Sequence, residues 1–285
     1  MSNFTFGCDP EVFLKKNGKP ASAYGILPGD KKNPHKTDGG AIQVDGMAAE
    51  FNIDPVPSNN FELFNARVIQ QIKEIRNRVP GYSLNVAPVQ DFGEDFLAKQ
   101  PEEAKELGCD PDFNAYTLQP NPRPDGERPF RTGAGHVHIG WGADIPIDNQ
   151  EHIEICANFV KVLDCTVGLF MTMIDQDPRR RELYGKAGAF RPKPYGVEYR
   201  TPSNVWIKNR DNRRAVFCLM NFAVFLASSS FATSSVFFEV AKEIINTGDF
   251  DKAKDTLQRI IRNYYDYGNN DLYWVQGYIR NLQNS

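Results

Sequence analysis

The strongest constraint on the fold is a short strand pattern around two histidines, in residues 135–141. Polar and apolar side chains alternate there, so His136 and His138 share one face of a strand and three apolar side chains share the other. Two of the four histidines in the chain lie in this segment. Two imidazoles on one face can bind a metal ion or a phosphate group. A polar strand face with two hydrogen-bonded histidines is the competing interpretation.

Two other segments repeat the alternation. One carries Glu198 and Arg200 on one face and apolar side chains on the other. Residues 41–53 predict a β-hairpin closed by the two-residue turn Asp45-Gly46. In the second strand of that hairpin Glu50 shares a face with Ala48 and Asn52.

A fourth strand pattern opens the chain. Asp9 and Glu11 are two residues apart and are therefore predicted to lie on one strand face. Pro10 lies between them, and proline is tolerated in a sheet only at an edge, a strand start or a bulge.

Two explanations account for the polar faces of these strands. One is an antiparallel sheet with a solvated outer face. The other is a sheet whose concave polar face forms an active site. The residues on these faces are Asp, Glu and His, which bind divalent cations, together with Arg. This selection favours the active-site explanation.

Composition sets the outer limits. The chain has 285 residues, of which 41% are hydrophobic, and a net charge of −3. It can bury a sizeable core, and its charge argues against sequence-independent binding of duplex DNA as the main activity. The five cysteines form no Cys-x-x-Cys motif, which favours reduced thiols and a cytoplasmic protein. We expect no signal peptide and no membrane-spanning segment.

The chain is predicted to form a single domain, with strands dominant early and helices late. Residues 1–206 would hold a catalytic sheet with inserted helices, and residues 207–285 the C-terminal helices. The Pro-rich segment 91–131 is predicted to be an irregular loop, which is either a functional lid or a surface excursion. Residues 83–89 are predicted to form a strand. The predicted helices span residues 58–79 with Ser58 as N-cap, 148–175 with Asp148 as N-cap, 211–229, 234–246, 251–267 and 271–281.

A basic, glycine-containing segment, residues 177–193, lies between the histidine strand and the Glu198 strand. Guanidinium and ammonium groups near a carboxylate–metal site suit a triphosphate. The segment lacks the Walker A pattern. The alternative is a solvated basic loop, and this interpretation fits Arg179 and Lys193. It fits Lys186 and Arg191 less well, because they adjoin small residues that let the backbone approach a ligand.

The motifs resemble a known group of enzymes. Gly-Ala-Gly-His136-Val-His138 and Val-Glu198-Tyr-Arg200-Thr-Pro resemble the histidine strand and the Glu-x-Arg strand of glutamine synthetases and glutamate–cysteine ligases. Asp9-x-Glu11 and Glu50 resemble their acidic metal-binding residues, with Asp9 where the larger enzymes carry Glu. More narrowly, Gly-Cys-Asp-Pro-Glu-Val-Phe, Asp-Gly-Met-Ala-Ala-Glu-Phe-Asn, Leu-Tyr-Gly-Lys-Ala-Gly-Ala-Phe-Arg and Tyr-Gly-Val-Glu-Tyr-Arg resemble the phage carboxylate–amine ligases of type 2, over residues 7–206.

The resemblance implies an α+β fold with an antiparallel, funnel-like curved sheet, an active site on its concave face and flanking helices. It implies an ATP-dependent ligase that joins a carboxylate to an amine through an acyl phosphate, with two or three Mg²⁺ or Mn²⁺ ions. The implied metal ligands are Asp9, Glu11, Glu50, His136 and Glu198. The implied contacts of the ATP phosphates and the transferring group are His138, Lys186, Arg191 and Arg200, and the implied catalytic residues are Glu198, Arg191 and Arg200.

Three other functions remain open from the sequence. A guanidino-type phosphotransferase would use a related sheet and ATP without forming an amide. A metal-dependent hydrolase would need no nucleotide, and an inert module would bind metal and ATP without turnover. The substrates of a ligase would be a small-molecule or peptide carboxylate and an amine. We expect no membrane partner, and nucleic acid only as a modified-base substrate. The chain could form an oligomer. A phage-encoded chain would act in the host cytoplasm.

Overall fold

The computed structural model describes residues 4–105, 112–142, 144–229, 235–263 and 270–283. This part of the chain has a mixed α+β fold with antiparallel sheets, as predicted. The strands are β1 Thr5–Cys8, β2 Glu11–Lys16, β3 Lys19–Ala21, β4 His35–Thr37, β5 Gly40–Asp45, β6 Ala48–Ile53, β7 Val56–Pro57, β8 Ser83–Asn85, β9 Val89–Asp91, β10 Phe113–Asn114, β11 Phe130–Thr132, β12 Val137–Gly140, β13 Ala189–Lys193 and β14 Gly196–Tyr199. The α-helices are α1 Phe61–Arg78, α2 Glu94–Ala98, α3 Glu102–Lys105, α4 Gln150–Leu163, α5 Leu169–Ile174, α6 Arg180–Leu183, α7 Arg210–Ala227, α8 Ser235–Thr247, α9 Phe250–Asn263 and α10 Asn270–Asn281.

Two larger sheets carry the polar strand faces. The strand order of the first is β10-β13-β14-β12-β1-β7, so the histidine strand lies beside the Glu198 strand. The second has the order β3-β2-β6-β5-β4, with β8 paired to β2, and β9 and β11 form a separate two-stranded ribbon. The pairings within these sheets are antiparallel. The funnel-like curvature stays a prediction.

Asp9 and Glu11 do not share a strand, contrary to the prediction. β1 ends before Asp9 and β2 begins at Glu11, so the chain passes from the first sheet to the second at Pro10. The N–H groups of Asp9 and Glu11 donate to carbonyls of the segment preceding β12 (3.3 and 2.9 Å), whereas the Pro10 carbonyl accepts from Phe51 N in β6 (3.2 Å). Proline has no N–H to lose from a ladder, which makes this position a suitable junction between the two sheets.

The hairpin of β5 and β6 is confirmed, but its turn lies one residue later than predicted. Asp45 pairs with Ala48, so Gly46 and Met47 form the turn. Gly46 has φ +55°, a conformation that glycine adopts without steric cost. Asp45 is therefore the last residue of a strand, on the same face as Gln43.

The helix predictions hold in position, with different caps. Asn60 caps α1 through its side chain, which accepts from Leu63 N (3.0 Å), in place of the predicted Ser58. Asn149 caps α4 in the same way, in place of Asp148. Residues 234 and 264–267, at the ends of two predicted helices, lie outside the described residues. Residues 83–89 do not form one strand. They contain the whole of β8 and the first residue of β9, separated by three residues.

One helical segment is more apolar than expected from the sequence. Gln150–Ile174 is helical throughout and is long and apolar enough to cross a membrane, which corrects the expectation that no segment would be. The most apolar window of this helix is 83% buried inside the fold. It packs against β13, β14 and α7, as a core helix does.

A π-helical turn, Asp164–Gly168, interrupts that long helix. Asp164 is fully buried and accepts hydrogen bonds from the hydroxyls of Tyr116 (2.8 Å) and Tyr199 (2.6 Å). A Cβ on Gly168 would lie 2.6 Å from the Tyr199 hydroxyl, so the close approach requires glycine. Tyr199 follows Glu198 in β14, and this contact therefore anchors the strand that carries the polar site.

Segment 91–131 is less irregular than predicted. Its described part contains the short helices α2 and α3, strand β10 and the start of β11. The four described cysteines are buried and free, in line with reduced thiols, and Cys109 lies outside the described residues.

Candidate active site

Glu198 is the centre of the site, fully buried in β14. Arg200 lies on the same strand face and donates to its Oε1. From the neighbouring strand β13, Lys193 Nζ lies 2.8 Å and Arg191 Nη1 3.5 Å from Oε2. Burial opposes ionisation, but Arg200 and the other nearby cations hold the pKa of Glu198 well below its usual range. The carboxylate is therefore ionised and surrounded by three cations.

The two histidines share a face, as predicted, and Asp9 lies beside both of them. His136 in turn lies beside Glu198. Asp9 Oδ1 lies 3.4 Å from His136 Nδ1, and Oδ2 lies 3.2 Å from His138 Nε2. His136 Nδ1 is also 3.5 Å from Glu198 Oε1. Burial raises the pKa of Asp9, but the adjacent His138 and His136 outweigh this effect, so the pKa lies below its usual range. We call Asp9, His136, His138 and Glu198 the histidine cluster.

The two histidines have different surroundings. His138 turns Nε2 to Asp9 and Nδ1 to the hydroxyl of Tyr195 (2.6 Å), the arrangement typical of a metal-binding imidazole held by a second partner. Asp9, His138 and Glu198 each offer a ligand atom within 4.8 Å of the others. Burial, followed by the charge of Arg200, lowers the pKa of His136. The geometry thus brings His138, assigned above to phosphate, into a possible metal site, while His136 also lines the adjacent cavity.

A second acidic group lies on the other sheet. Glu11 and Glu50 are opposite each other in the β2–β6 pairing, and Asp45 lies at the end of β5. The three carboxylates offer oxygen atoms within 4.8 Å of one another. Glu11 Oε2 accepts from Ala134 N (2.9 Å) and Asp45 Oδ1 lies 2.9 Å from Lys31 Nζ. We call Glu11, Asp45 and Glu50 the carboxylate cluster. The structure thus divides Asp9 and Glu11 between two clusters.

The carboxylate cluster is electrostatically unfavourable on its own. Burial, together with the charge of Asp45, raises the pKa of Glu11 to about 8. Burial and the charges of Asp45, Asp9 and Glu11 raise the pKa of Glu50 well above its usual range. A cation would relieve the mutual repulsion of these three carboxylates, and their oxygen atoms are compatible with Mg²⁺ or Mn²⁺. The histidine cluster offers a mixed set of nitrogen and oxygen ligands that is also compatible with these ions.

The carboxylate cluster and one member of the histidine cluster, His136, border a cavity of about 270 Å³. Its lining combines the acidic and basic groups described above with further cations and polar side chains. It is lined by Glu11, Lys31, Gln43, Asp45, Gly46, Met47, Ala48, Glu50, Arg131, Thr132, Ala134, His136, Arg180, Tyr184, Arg191, Lys193 and Arg200.

The basic segment contributes a different set of cations from the one predicted. Arg191 and Lys193 line the cavity, but Lys186 does not; the Lys186 carbonyl accepts from the Thr201 hydroxyl (2.9 Å). Arg179 is half-exposed and pairs with Asp177, as expected of a solvated residue. Lys193, placed in the solvated class by the sequence analysis, is beside Glu198 because β13 pairs with β14 and turns it to the polar face.

Several cavity-lining residues were missed from the sequence, among them Asp45, Arg131, Arg180 and Tyr184. Asp45 was assigned to the turn, although its alternation with Gln43 places it on the polar face. Arg180 was hidden in a run of three arginines, Tyr184 lies within the quoted Leu-Tyr-Gly-Lys motif but was given no role, and Arg131 lies just before the Gly-Ala-Gly-His136 motif. The position of Arg180 depends on long-range contacts with the chain after β14.

The carboxylate cluster predicts a pH dependence of stability. Glu11 keeps its proton in the folded state up to about pH 8, whereas an ordinary glutamate ionises near pH 4.5. The folded state therefore binds more protons in this window, and its stability falls as pH rises, by about 1.4 kcal/mol per pH unit for each extra proton. We expect the melting temperature in EDTA to fall between pH 5 and pH 8, and Mg²⁺ or Mn²⁺ to reduce that slope.

Thermal melts with and without metal, on the parent and on Glu11→Gln, would test this. Burial also raises the pKa of Asp164, to about 7, which adds a slope of the same sign. Asp164 is outside the cavity lining, so metal would leave its part unchanged. Equal slopes in EDTA and in metal would contradict the prediction.

The comparison with protein families comes from the second half of the chain. The model of the family described as "Phage phiEco32-like COOH.NH2 ligase-type 2" matches residues 128–274, just over half of the sequence. The matched region contains His136, His138, Arg191, Glu198 and Arg200. It begins later than the 7–206 expected above, omits β1 to β10, and includes most of the C-terminal helices. A search of curated proteins found no match.

Proposed function

The chain belongs to the phage phiEco32-like COOH.NH2 ligase-type 2 family, and we propose that it uses ATP to join a carboxylate to an amine through an acyl phosphate. The observation that carries the proposal is a cavity lined by the carboxylate cluster, by several cations and by His136, which lies beside Asp9 and Glu198 of the histidine cluster. Such a site can hold divalent cations and a polyphosphate side by side.

The residues divide into two roles in this proposal. Asp9, His136, His138 and Glu198 would hold one cation, and Glu11, Asp45 and Glu50 a second. Bound divalent cations would neutralise the charge that builds on phosphoryl oxygens. Arg191, Lys193 and Arg200 would bind the phosphates, since each already faces the Glu198 carboxylate at the edge of the cavity. Lys186, which lies outside the cavity lining, has no role in it.

The reaction has two steps. A carboxylate oxygen of the acid attacks the γ-phosphorus of ATP, and the bond to the β-phosphate oxygen breaks, which releases ADP. The amine nitrogen then attacks the acyl carbon of the mixed anhydride, the bond from carbon to phosphate oxygen breaks, and the nitrogen loses one proton. The products are an amide, ADP and phosphate. The guanidinium groups stabilise the transferring phosphoryl group by position and charge.

The test is ADP release from ATP with Mg²⁺ or Mn²⁺ against pools of carboxylic acids and amines. We expect release to require both an acid and an amine, and ¹⁸O in the acid carboxylate to appear in the phosphate. Glu198→Gln is the inactive blank. Glu62→Gln is the matched control, since Glu62 is an exposed glutamate paired only with surface Arg210 among the described residues.

Three results would overturn the proposal. Release without an amine requirement would indicate a kinase or an ATPase. Metal-dependent ATP binding with no release would indicate an inert module. Amide formation without transfer of ¹⁸O to phosphate would exclude the acyl phosphate.

A further inference from the structure

Arg180 is a buried cation whose hydrogen bonding is incomplete. It lies in the one-turn helix α6 and is 2% exposed. Its Nη2 donates to the carbonyls of Thr201 (3.1 Å) and Pro202 (2.7 Å). Its Nε and Nη1 have no hydrogen-bond acceptor among the described residues, and the side chain lines the cavity. A buried guanidinium normally satisfies its N–H groups, so unsatisfied N–H groups on a side chain that lines a cavity point to a ligand.

Two further polar side chains, Arg131 and Tyr184, line the same cavity as Arg180. The Nε of Arg131 also has no acceptor among the described residues, although four backbone carbonyls hold its two Nη atoms. Tyr184, one helical turn after Arg180, is the third member. Gly185 lies against the guanidinium: a Cβ there would be 3.3 Å from Arg180 Nε. The geometry of this turn therefore holds the guanidinium in place.

Arg180 and Arg200 interact with different carboxylates, whereas Tyr184 is within electrostatic reach of both Arg200 and Glu11. The carboxylates that act on Arg180 are Asp175 and Glu11, and the contact with Asp175 is long, at 3.7 Å. Those that act on Arg200 are Glu198, Asp112 and Asp9. The cavity thus has two cationic regions, one at the histidine cluster and one at the carboxylate cluster.

We propose that Arg180, with Arg131 and Tyr184, binds a second carboxylate of the acid substrate, one that is not activated. The acid substrate would then be a dicarboxylate-type compound. The assignment of this carboxylate to the acid substrate rests on the proposed function; the anion site itself does not.

A carboxylate suits this part of the cavity better than a nucleotide phosphate. The Arg191, Lys193 and Arg200 group already supplies cations beside the histidine cluster, whereas Arg180 is anchored to backbone carbonyls through Nη2 and offers only Nε and Nη1. These two nitrogens carry three N–H donors, which suit the oxygens of a singly charged carboxylate. A carboxylate held there would lie at the opposite cationic region from the phosphates.

Equilibrium binding would test the pocket without relying on turnover. Calorimetry would compare malonate, succinate, glutarate and adipate with the monocarboxylates of the same chain length, in the presence of Mg²⁺ and a non-hydrolysable ATP analogue. We expect the best-fitting dicarboxylate to bind about tenfold or more tightly than its monocarboxylate. Arg180→Gln should remove this difference and leave the affinity for the ATP analogue unchanged. Arg179→Gln is the matched control, because Arg179 is the neighbouring arginine but is half-exposed and paired with Asp177.

The outcomes are separable from those of the ligase assay. Arg180→Lys, which keeps the charge but loses the fork, is the second variant if Arg180→Gln does not fold, and we expect it to weaken the dicarboxylate preference. Equal binding of dicarboxylates and monocarboxylates by the parent would refute the subsite. Loss of ATP-analogue affinity in the Arg180 variants, with the dicarboxylate preference retained, would instead assign the arginine to phosphate. A dicarboxylate preference without amide formation would leave the subsite in place and overturn only the ligase.

Discussion

Replacing Glu198 by glutamine is expected to abolish turnover and to destabilise the fold at the same time. The carboxylate is fully buried and contacts Arg200, Lys193 and Arg191. Removing its charge leaves these cations without their common partner, and breaking a buried ion pair in this way costs about 3–5 kcal/mol. Lys193 and Arg191 are partly exposed, so water offsets part of this cost.

Chemical denaturation and the ADP-release assay on the same preparation would check both effects. Glu62→Gln, at an exposed ion pair, should change neither within error. A Glu198→Gln protein with parental stability would show that the three cations do not depend on Glu198. Parental turnover would remove Glu198 from the catalytic machinery.

The side-chain faces of single strands could be predicted from the sequence because alternation is a local property. His136 and His138 do share a face, and so do Glu198 and Arg200, because each pair lies within or next to one strand. The opposite faces are also as predicted: Val197, for example, is fully buried.

The division of Asp9 and Glu11 between two clusters could not be predicted in the same way. It depends on which strands the residues around Pro10 pair with, and those partners are more than 30 residues away along the chain. Alternation predicts a common face wherever a strand is continuous, but the backbone changes sheets at Pro10. The distant pairings, and not the local pattern, set where each carboxylate points.

The placement of Lys186 and Lys193 differs from the prediction for a related reason, whereas Arg191 lines the cavity and Arg179 is exposed, as expected. Small neighbours favoured Lys186, but the β13–β14 pairing decides which cations reach Glu198. Arg191 lies opposite Glu198, and Lys193 follows it on the same face. A hairpin prediction for residues 189–199 would have found both.

Replacing Glu50 by glutamine is expected to have the opposite effect on stability from the Glu198 substitution. Burial and the neighbouring carboxylates raise the pKa of Glu50, so ionisation of this group destabilises the metal-free fold as pH rises through that pKa. Glutamine resembles the protonated form and does not titrate. The hydrogen-bonding partner Gln43, which donates to Glu50 Oε1 (2.7 Å), can also donate to a glutamine. In EDTA the variant should therefore be more stable than the parent, and the difference should grow with pH.

In metal the order should reverse, because Glu50 then supplies a ligand and its charge is compensated. A ligand at about a hundred times its dissociation constant stabilises a fold by about 2.7 kcal/mol, and the variant should lose most of this gain together with turnover. Melting curves with EDTA and with Mn²⁺ at two pH values, on the parent, Glu50→Gln and Glu62→Gln, separate the two contributions. Destabilisation of Glu50→Gln in EDTA would show that the carboxylate stabilises the metal-free fold. If Mn²⁺ stabilised Glu50→Gln as much as the parent, the stabilising ion would lie outside the carboxylate cluster. An ion bound at that cluster should depend on Glu50, whose charge it offsets.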